Sequence, residues 1–333
     1  MKKSWKDNTK RLSSLIGIAG NRFFVSKLEN SFFLRQGKTT EAPVTFVIGP
    51  PRSGSTLAMQ ILTDAFPFGY LANRHCSWFG APALAEYLFR PLDDRPRSDY
   101  LSRHGRANGE FAPSECGAWW YRFFRRKPAY VTLGDVTERK MKGFQRSTAA
   151  LEAASGRPLI FKNLYAGLRL EPIAHYLPNA LFVVMERDWL DNAQSILKGR
   201  HDALGNYGQW WSVPPPNVDD LSRLPPVRQV VGQIEAIHDL IDHDLERLGL
   251  EDRTFRIRYE DLCQDVHAML ERFRDFMANH GVPLDRRFDV PQRFEIDHSI
   301  KIPPEMYDEL VAYLRALSMT EKRHEPGSHP VPG

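Results

Sequence analysis

The chain has 333 residues, of which 42% are hydrophobic and 11% aromatic, a globular composition long enough to bury a core in one large domain or a domain with a substantial insert. Its formal charge of +4, with both signs interspersed, leans towards an anionic ligand and gives no reason to expect nucleic acid as a partner. Cys76, Cys116 and Cys263 are widely spaced, with no CxxC and no clustered histidines, which argues against a disulfide framework or a bound metal and fits a reducing, cytoplasmic setting.

The first predicted element is a helix over residues 8–33, with a loose apolar face made by Leu12, Leu15, Ile16, Phe23, Phe24, Leu28, Phe32 and Phe33. It falls in an N-terminal helical segment, 1–43. The basic start, Met1-Lys2-Lys3, precedes only a short apolar stretch holding two serines, so a signal peptide is not expected. No run reaches the roughly 18 apolar residues of a membrane span. Phenylalanine pairs beside Arg22, Lys27 and Arg35 still leave room for a peripheral membrane contact.

Val44-Thr45-Phe46-Val47-Ile48 predicts a strand, Gly49-Pro50-Pro51-Arg52-Ser53-Gly54 a turn, and Ser55-Thr56-Leu57 the entry to a helix that continues to 65. Such a loop aims successive backbone N–H groups and the positive end of a helix dipole at one spot, which suits a phosphate or sulfate ester. The spacing matches the ATP-binding G-x-x-x-x-G-K-S/T loop at every defined position but one. Ser55 stands where the lysine belongs, and the cation lies inside the turn as Arg52.

From about 70 to 157 the α/β rhythm gives way to Gly, Pro and Trp-rich sequence, read as a substrate-binding insert. Rhythm returns with a short apolar run ending at Lys162, a helix over 167–176, and Leu181-Phe182-Val183-Val184-Met185, a strand buried on both faces as in a parallel sheet. Arg187 follows that strand and Ser195 lies about two helical turns further on, placed to return a hydroxyl to the anion that the Arg187 fork would hold. Apolar residues from Val227 to Leu248 recur at helical spacing. Thr254 to Tyr259 alternates as a strand ending in Tyr259-Glu260-Asp261-Leu262, Val266 to Met277 and 303–317 read as helices, and the tail over 321–333 as flexible.

Pro51-Arg52-Ser53-Gly54-Ser55-Thr56 and Arg187-Asp188-x₆-Ser195 together resemble the two phosphate signatures of sulfotransferases that use 3′-phosphoadenosine 5′-phosphosulfate (PAPS), and the bacterial carbohydrate and tyrosylprotein-like branch in particular. The resemblance runs from Val44 to about Leu317. It implies a three-layer α/β fold like that of P-loop nucleotide kinases, a parallel sheet flanked by helices over 44–320, and sulfuryl transfer from PAPS, without a metal, to a hydroxyl or amine. It also implies cofactor-binding roles for Arg52, Ser53, Gly54, Ser55, Thr56, Leu57, Arg187, Ser195, Tyr259 near the adenine, and the late Lys301. Trp189 replaces the family's proline, and the glycine-rich R-K-G-x-x-G motif is absent.

Sulfuryl transfer moves negative charge onto the bridging phosphate oxygen and spreads it over the sulfuryl oxygens, so fixed cations lower the barrier. Arg52 and Lys162 suit that role, the latter at a position where carbohydrate and tyrosylprotein-type relatives place a lysine. The family's general base is Glu or His. Glu115, beside Trp119-Trp120, comes first, then His75, with Glu110 and Glu86 behind. The tryptophan pairs at 119–120 and 210–211 lean towards a carbohydrate acceptor. Two other readings stay open: an ATP-dependent kinase or NTPase, with Glu186 ending a Walker B strand, and a nucleotide-binding protein without turnover. Oligomeric state is not legible.

Overall fold

A computed structural model describes residues 39–89, 98–103 and 105–324. Strand β1 (Thr45–Ile48) turns into helix α1 (Ser55–Ala65), followed by α2 (Asn73–Ser77) and α3 (Pro82–Phe89). A hairpin of β2 (Ser102–Arg103) and β3 (Arg106–Ala107) leads to α4 (Gly117–Trp120) and the long α5 (Glu138–Ser155). Strand β4 (Ile160–Lys162), α6 (Leu170–Tyr176), β5 (Leu181–Glu186) and α7 (Trp189–Leu204) come next. After them run α8 (Val218–Leu221), α9 (Pro226–Arg247), β6 (Thr254–Arg258), α10 (Tyr259–Gln264), α11 (Val266–Asn279) and α12 (Pro304–His324).

The central sheet has the order β4-β1-β5-β6 with every pairing parallel; Thr45 lies opposite both Ile160 and Leu181, and Phe182 opposite Thr254. Successive side chains alternate between its faces. Phe46, Phe161, Phe182 and Val184 point to one layer, where Trp119 and Trp120 of α4, Phe144 of α5 and Ile237 and Ile241 of α9 cover them. Val47, Ile160, Val183 and Met185 point to the other, beneath Met59 and Leu62 of α1 and Phe273 and Met277 of α11. Both faces are therefore dry, which explains why β1 and β5 read as unbroken apolar runs. Each fully buried phenylalanine stabilises the fold by roughly 1.5–3 kcal/mol. The architecture is the α/β parallel sheet between helical layers that the sequence implies.

A third apolar cluster joins Ile196 and Leu197 of α7, Val230 and Ile234 of α9 and Leu310 of α12. On the flank of the sheet, Arg256 of β6 pairs with Glu186 at 2.8 Å and Asp242 at 2.7 Å. Glu186 is thus the partner of a guanidinium, not a group held free at a strand end.

Two elements differ from the sequence reading. The stretch up to 157 contains α5, an 18-residue helix whose Met141, Phe144 and Leu151 are buried in the sheet's own layer. Its many charged and small residues hide the apolar stripe. Tyr259 opens helix α10 where it was expected to end a strand, because β6 already stops at Arg258. The predicted helix over 8–33 lies outside the described residues, as does the tail beyond His324, while α12 carries helix past the expected boundary at 320. Among the described residues no helix is long and apolar enough to cross a membrane.

Candidate active site

The loop after β1 passes so close to its neighbours that only glycine fits at two points. Gly49, at φ 140°, would place a Cβ 2.7 Å from the Met185 carbonyl oxygen, and Gly54, at φ 89°, would place one 2.2 Å from Cδ2 of Tyr259. Between them Arg52 adopts a left-handed φ of 64°, a conformation that the loop's surroundings must hold in place. They do so through its carbonyls: Asn192 Nδ2 donates to the Pro51 oxygen at 2.8 Å and Arg187 Nη1 to the Arg52 oxygen at 3.0 Å. The Arg52 side chain turns the other way, its Nε donating to Ser195 Oγ at 3.0 Å.

Arg187 and Tyr259 each follow a strand of the parallel sheet, so both arrive at its carboxyl edge beside the loop. The Arg187 guanidinium lies 4.4 Å over the Tyr259 ring, while Gly54 presses on the same ring. Burial lowers the Arg52 pKa and the Arg187 charge lowers it further. Two cations that repel each other beside the loop suit an anion between them, and buried polar atoms next to them have no partner: Ser53 Oγ and Arg187 Nε make no hydrogen bond.

Lys162, the last residue of β4, sits opposite Val47 and is only 4% exposed. Its ammonium reaches Thr56 Oγ1 at 3.0 Å, the Gly105 carbonyl of the β2–β3 turn at 3.1 Å, and Glu115 Oε1 at 2.8 Å. Thr56 Oγ1 in turn donates to the Gly105 oxygen at 3.0 Å. The phosphate loop, the strand-end lysine and the insert carboxylate are therefore one connected network. It lies in a cleft of about 710 Å³ that Arg52, Lys162, Glu115, Arg187 and Tyr259 share.

Of the other residues singled out in the sequence, Gly54, Ser55, Thr56 and Leu57 line this cleft, and Ser53 is fully buried in the loop behind it. Ser195 does touch the site, but through Arg52 and not through Arg187. His75 does not line the cleft. It is fully buried, its Nδ1 accepts the Ala72 N–H at 2.8 Å, and its Nε2 faces buried Glu86 at 3.3 Å, so the second base candidate and one of the two behind it form a structural pair. Glu110 is exposed and does not line the cleft, and Lys301 bends back to the Asp297 carbonyl at 2.6 Å while its own N–H meets Gln194. Trp119 and Trp120 are 0% and 1% exposed, packed on Phe144 and Phe161, and offer no surface to a sugar. Trp211 is the tryptophan on the cleft wall, seated on Gly199, where a Cβ would lie 2.9 Å from its ring.

Sequence reasoning missed the contacts of Asn192 and Gly105 and did not place Cys76 and Cys116 on the cleft wall. Asn192 was within reach, because it precedes Ser195 by three positions and shares its helix face. Gly105 acts through a carbonyl oxygen, which no residue pattern reveals.

A model of the Sulfotransferase family matches residues 43–284, most of the chain. The sulfotransferase STF9 from Mycobacterium avium has a similar structure, with a TM-score of 0.55 at 15% identity over 96% of this chain and 77% of that one. STF1 from Mycobacterium tuberculosis H37Rv gives a TM-score of 0.47 at 15% identity, covering 78% of this chain and 72% of that one. The sulfotransferase domain from the curacin biosynthetic pathway gives 0.42 at 14% identity, with 79% and 84% covered. A comparison of the sequence with curated proteins finds no match. At these identities the M. avium structure speaks for the fold.

Proposed function

The chain belongs to the sulfotransferase family, and on that premise we propose that it carries a sulfuryl group from PAPS to a hydroxyl or amine of an organic acceptor. The observation that supports this reading is the meeting, in one cleft, of a phosphate loop with two guanidinium groups and a lysine–carboxylate pair. PAPS fits the residues present: Arg52, Arg187 and the unpartnered Ser53 hydroxyl answer phosphate oxygens, and the Tyr259 ring lies beneath the Arg187 guanidinium. When bound, it supplies an activated sulfuryl group, whose departure leaves negative charge on a phosphate oxygen.

The protein's part is electrostatic and positional. Lys162, held by Thr56 at the loop, places an ammonium where that charge develops. Glu115 shares one carboxylate oxygen with Lys162, and its other oxygen takes the proton of the attacking hydroxyl or amine. Transfer of that proton turns the carboxylate neutral as the leaving phosphate turns negative, so Lys162 trades one anionic partner for another. The acceptor is a small molecule or glycan with such a group, and with Trp119 and Trp120 in the core the carbohydrate preference rests on Trp211 alone.

Thermal unfolding with nucleotides tests the donor. PAP should raise the melting temperature by mass action and ATP with magnesium should not; stabilisation by Mg-ATP alone would replace this reading with a kinase. Labelled PAPS offered with an extract of the source cell should give a labelled product, while PAP binding without any product would leave a nucleotide-binding protein.

A further inference from the structure

Cys76 and Cys116 both line the cleft and both belong to the insert. Their segments are fastened together: Ala72 bridges Pro113, Asn73 N–H donates to the Ala112 oxygen at 3.0 Å and Ser114 N–H to the Leu71 oxygen at 2.8 Å. Cys76 lies in α2, one turn beyond Ala72, and Cys116 caps α4 with a left-handed φ of 43°. Ser114 Oγ sits between them, 3.2 Å from Cys76 Sγ and 3.4 Å from the Cys116 nitrogen. Cys76 is partly exposed and Cys116 buried, and all three cysteines of the chain are free thiols.

We infer that Cys76 and Cys116 are a reversible modification site in the cleft wall, where a hydroperoxide oxidises Cys76 and Cys116 closes a disulfide. Ser114 Oγ touches both segments, and the Cys116 thiol, the Ser114 hydroxyl and the Arg106 charge bring the Cys76 pKa down to about 6 against its burial, while Cys116 is raised well above the ordinary value. Cys76, the partly exposed sulfur with the lowered pKa, is the attacking partner, and buried Cys116 the resolving one.

In the first step the Cys76 thiolate attacks the peroxide oxygen, the O–O bond breaks, and the alkoxide or hydroxide that leaves takes a proton from water. In the second, the Cys116 sulfur, losing its proton, attacks the Cys76 sulfenic acid and expels its oxygen as water. Overall two thiols give up two electrons and two protons, and the hydroperoxide is reduced to an alcohol or water. A dithiol reverses the change by exchange.

The consequence for transfer rests on the proposed function. Closing the bond draws Cys116 towards α2 and carries its neighbour Glu115 with it, so the 2.8 Å contact with Lys162 is lost. Oxidised protein keeps the loop and strand ends that grip phosphate, and loses the base.

The test is peptide mapping of the native protein after treatment with equimolar hydrogen peroxide at neutral pH. A Cys76–Cys116 cross-linked peptide should form, Cys263 alone should remain alkylatable, and dithiothreitol should restore all three thiols. Cys116→Ser should leave a Cys76 sulfenic acid that dimedone labels, and Cys76→Ser should leave Cys116 unoxidised. Survival of all three thiols, loss of Cys263 first, or over-oxidation of Cys76 without a cross-link would each overturn the inference. These readouts need no acceptor, so they stand or fall apart from the sulfotransferase reading. Loss of transfer activity with retained PAP binding, both reset by dithiothreitol, belongs to the consequence, and a cross-linked protein of unchanged activity would sink that step.

Discussion

Glu115 and Lys162 behave as one unit, since each is the other's nearest charged partner in the cleft. Glu115→Gln keeps size and hydrogen-bonding reach but removes the proton acceptor, and kcat should fall by about 10²–10⁴ with PAP affinity nearly unchanged. Lys162→Met should lower kcat more than it weakens PAP, because its contact strengthens as charge develops. The double variant should be little worse than the worse single one, for the two losses share an interaction; additive losses measured in the cycle would separate their roles. His75 should show the opposite profile. His75→Ala strips the Ala72 N–H of its acceptor and leaves Glu86 facing a void, which should cost about 1–3 kcal/mol of stability and leave the shape of the pH–rate profile unchanged. Among the thiols, alkylation of Cys76 should rise with pH to a half-maximal rate near 6, in line with its lowered pKa, whereas burial pushes the Cys263 thiol further above its ordinary value.

At the scale of elements, the strand, loop and helix from Thr45 to Ala65 were legible because three signals agreed: a β-branched run, a Gly/Pro/Ser turn, and helix-compatible residues after it. Arg187 was legible for a similar reason, as a strand buried on both faces must end at the sheet's carboxyl edge. Helix α5 was not, because its buried face is made largely of alanine, serine and threonine around a few large residues. His75 and Trp119 were misjudged for a different reason: sequence shows that a polar or aromatic residue stands near a motif, but not whether it faces the cleft or the core. Two substitutions follow. Gly54→Ala must move Tyr259, and Arg187 with it, so PAP binding should be lost while the sheet survives; unchanged affinity would mean that Tyr259 can swing away. Trp119→Ala should cost roughly 3–5 kcal/mol by denaturant melt, since the residue fills the layer between α4, α5 and the sheet.

For the molecule as a whole, the sheet does two jobs with opposite needs. Its two faces must stay dry, and at its carboxyl edge it must gather cations that repel one another. The fold separates these in space: the layers above and below hold aromatic and aliphatic side chains, while Arg52, Lys162, Arg187 and Tyr259 stand at the loop and at strand ends or just beyond them. The same sheet also ends sideways, at β4 on one flank and β6 on the other among the described residues. A terminal strand offers unpaired backbone groups to any other extended chain, and here the hazard is answered twice. Strand β4 is only three residues long, and β6 places Arg256, clamped between Glu186 and Asp242, in the middle of an otherwise sticky Thr-Phe-x-Ile run. Removing that charge should show itself as loss of solubility before any loss of chemistry: Arg256→Val protein should scatter light and bind amyloid dyes on mild heating, at temperatures where the parent chain remains clear.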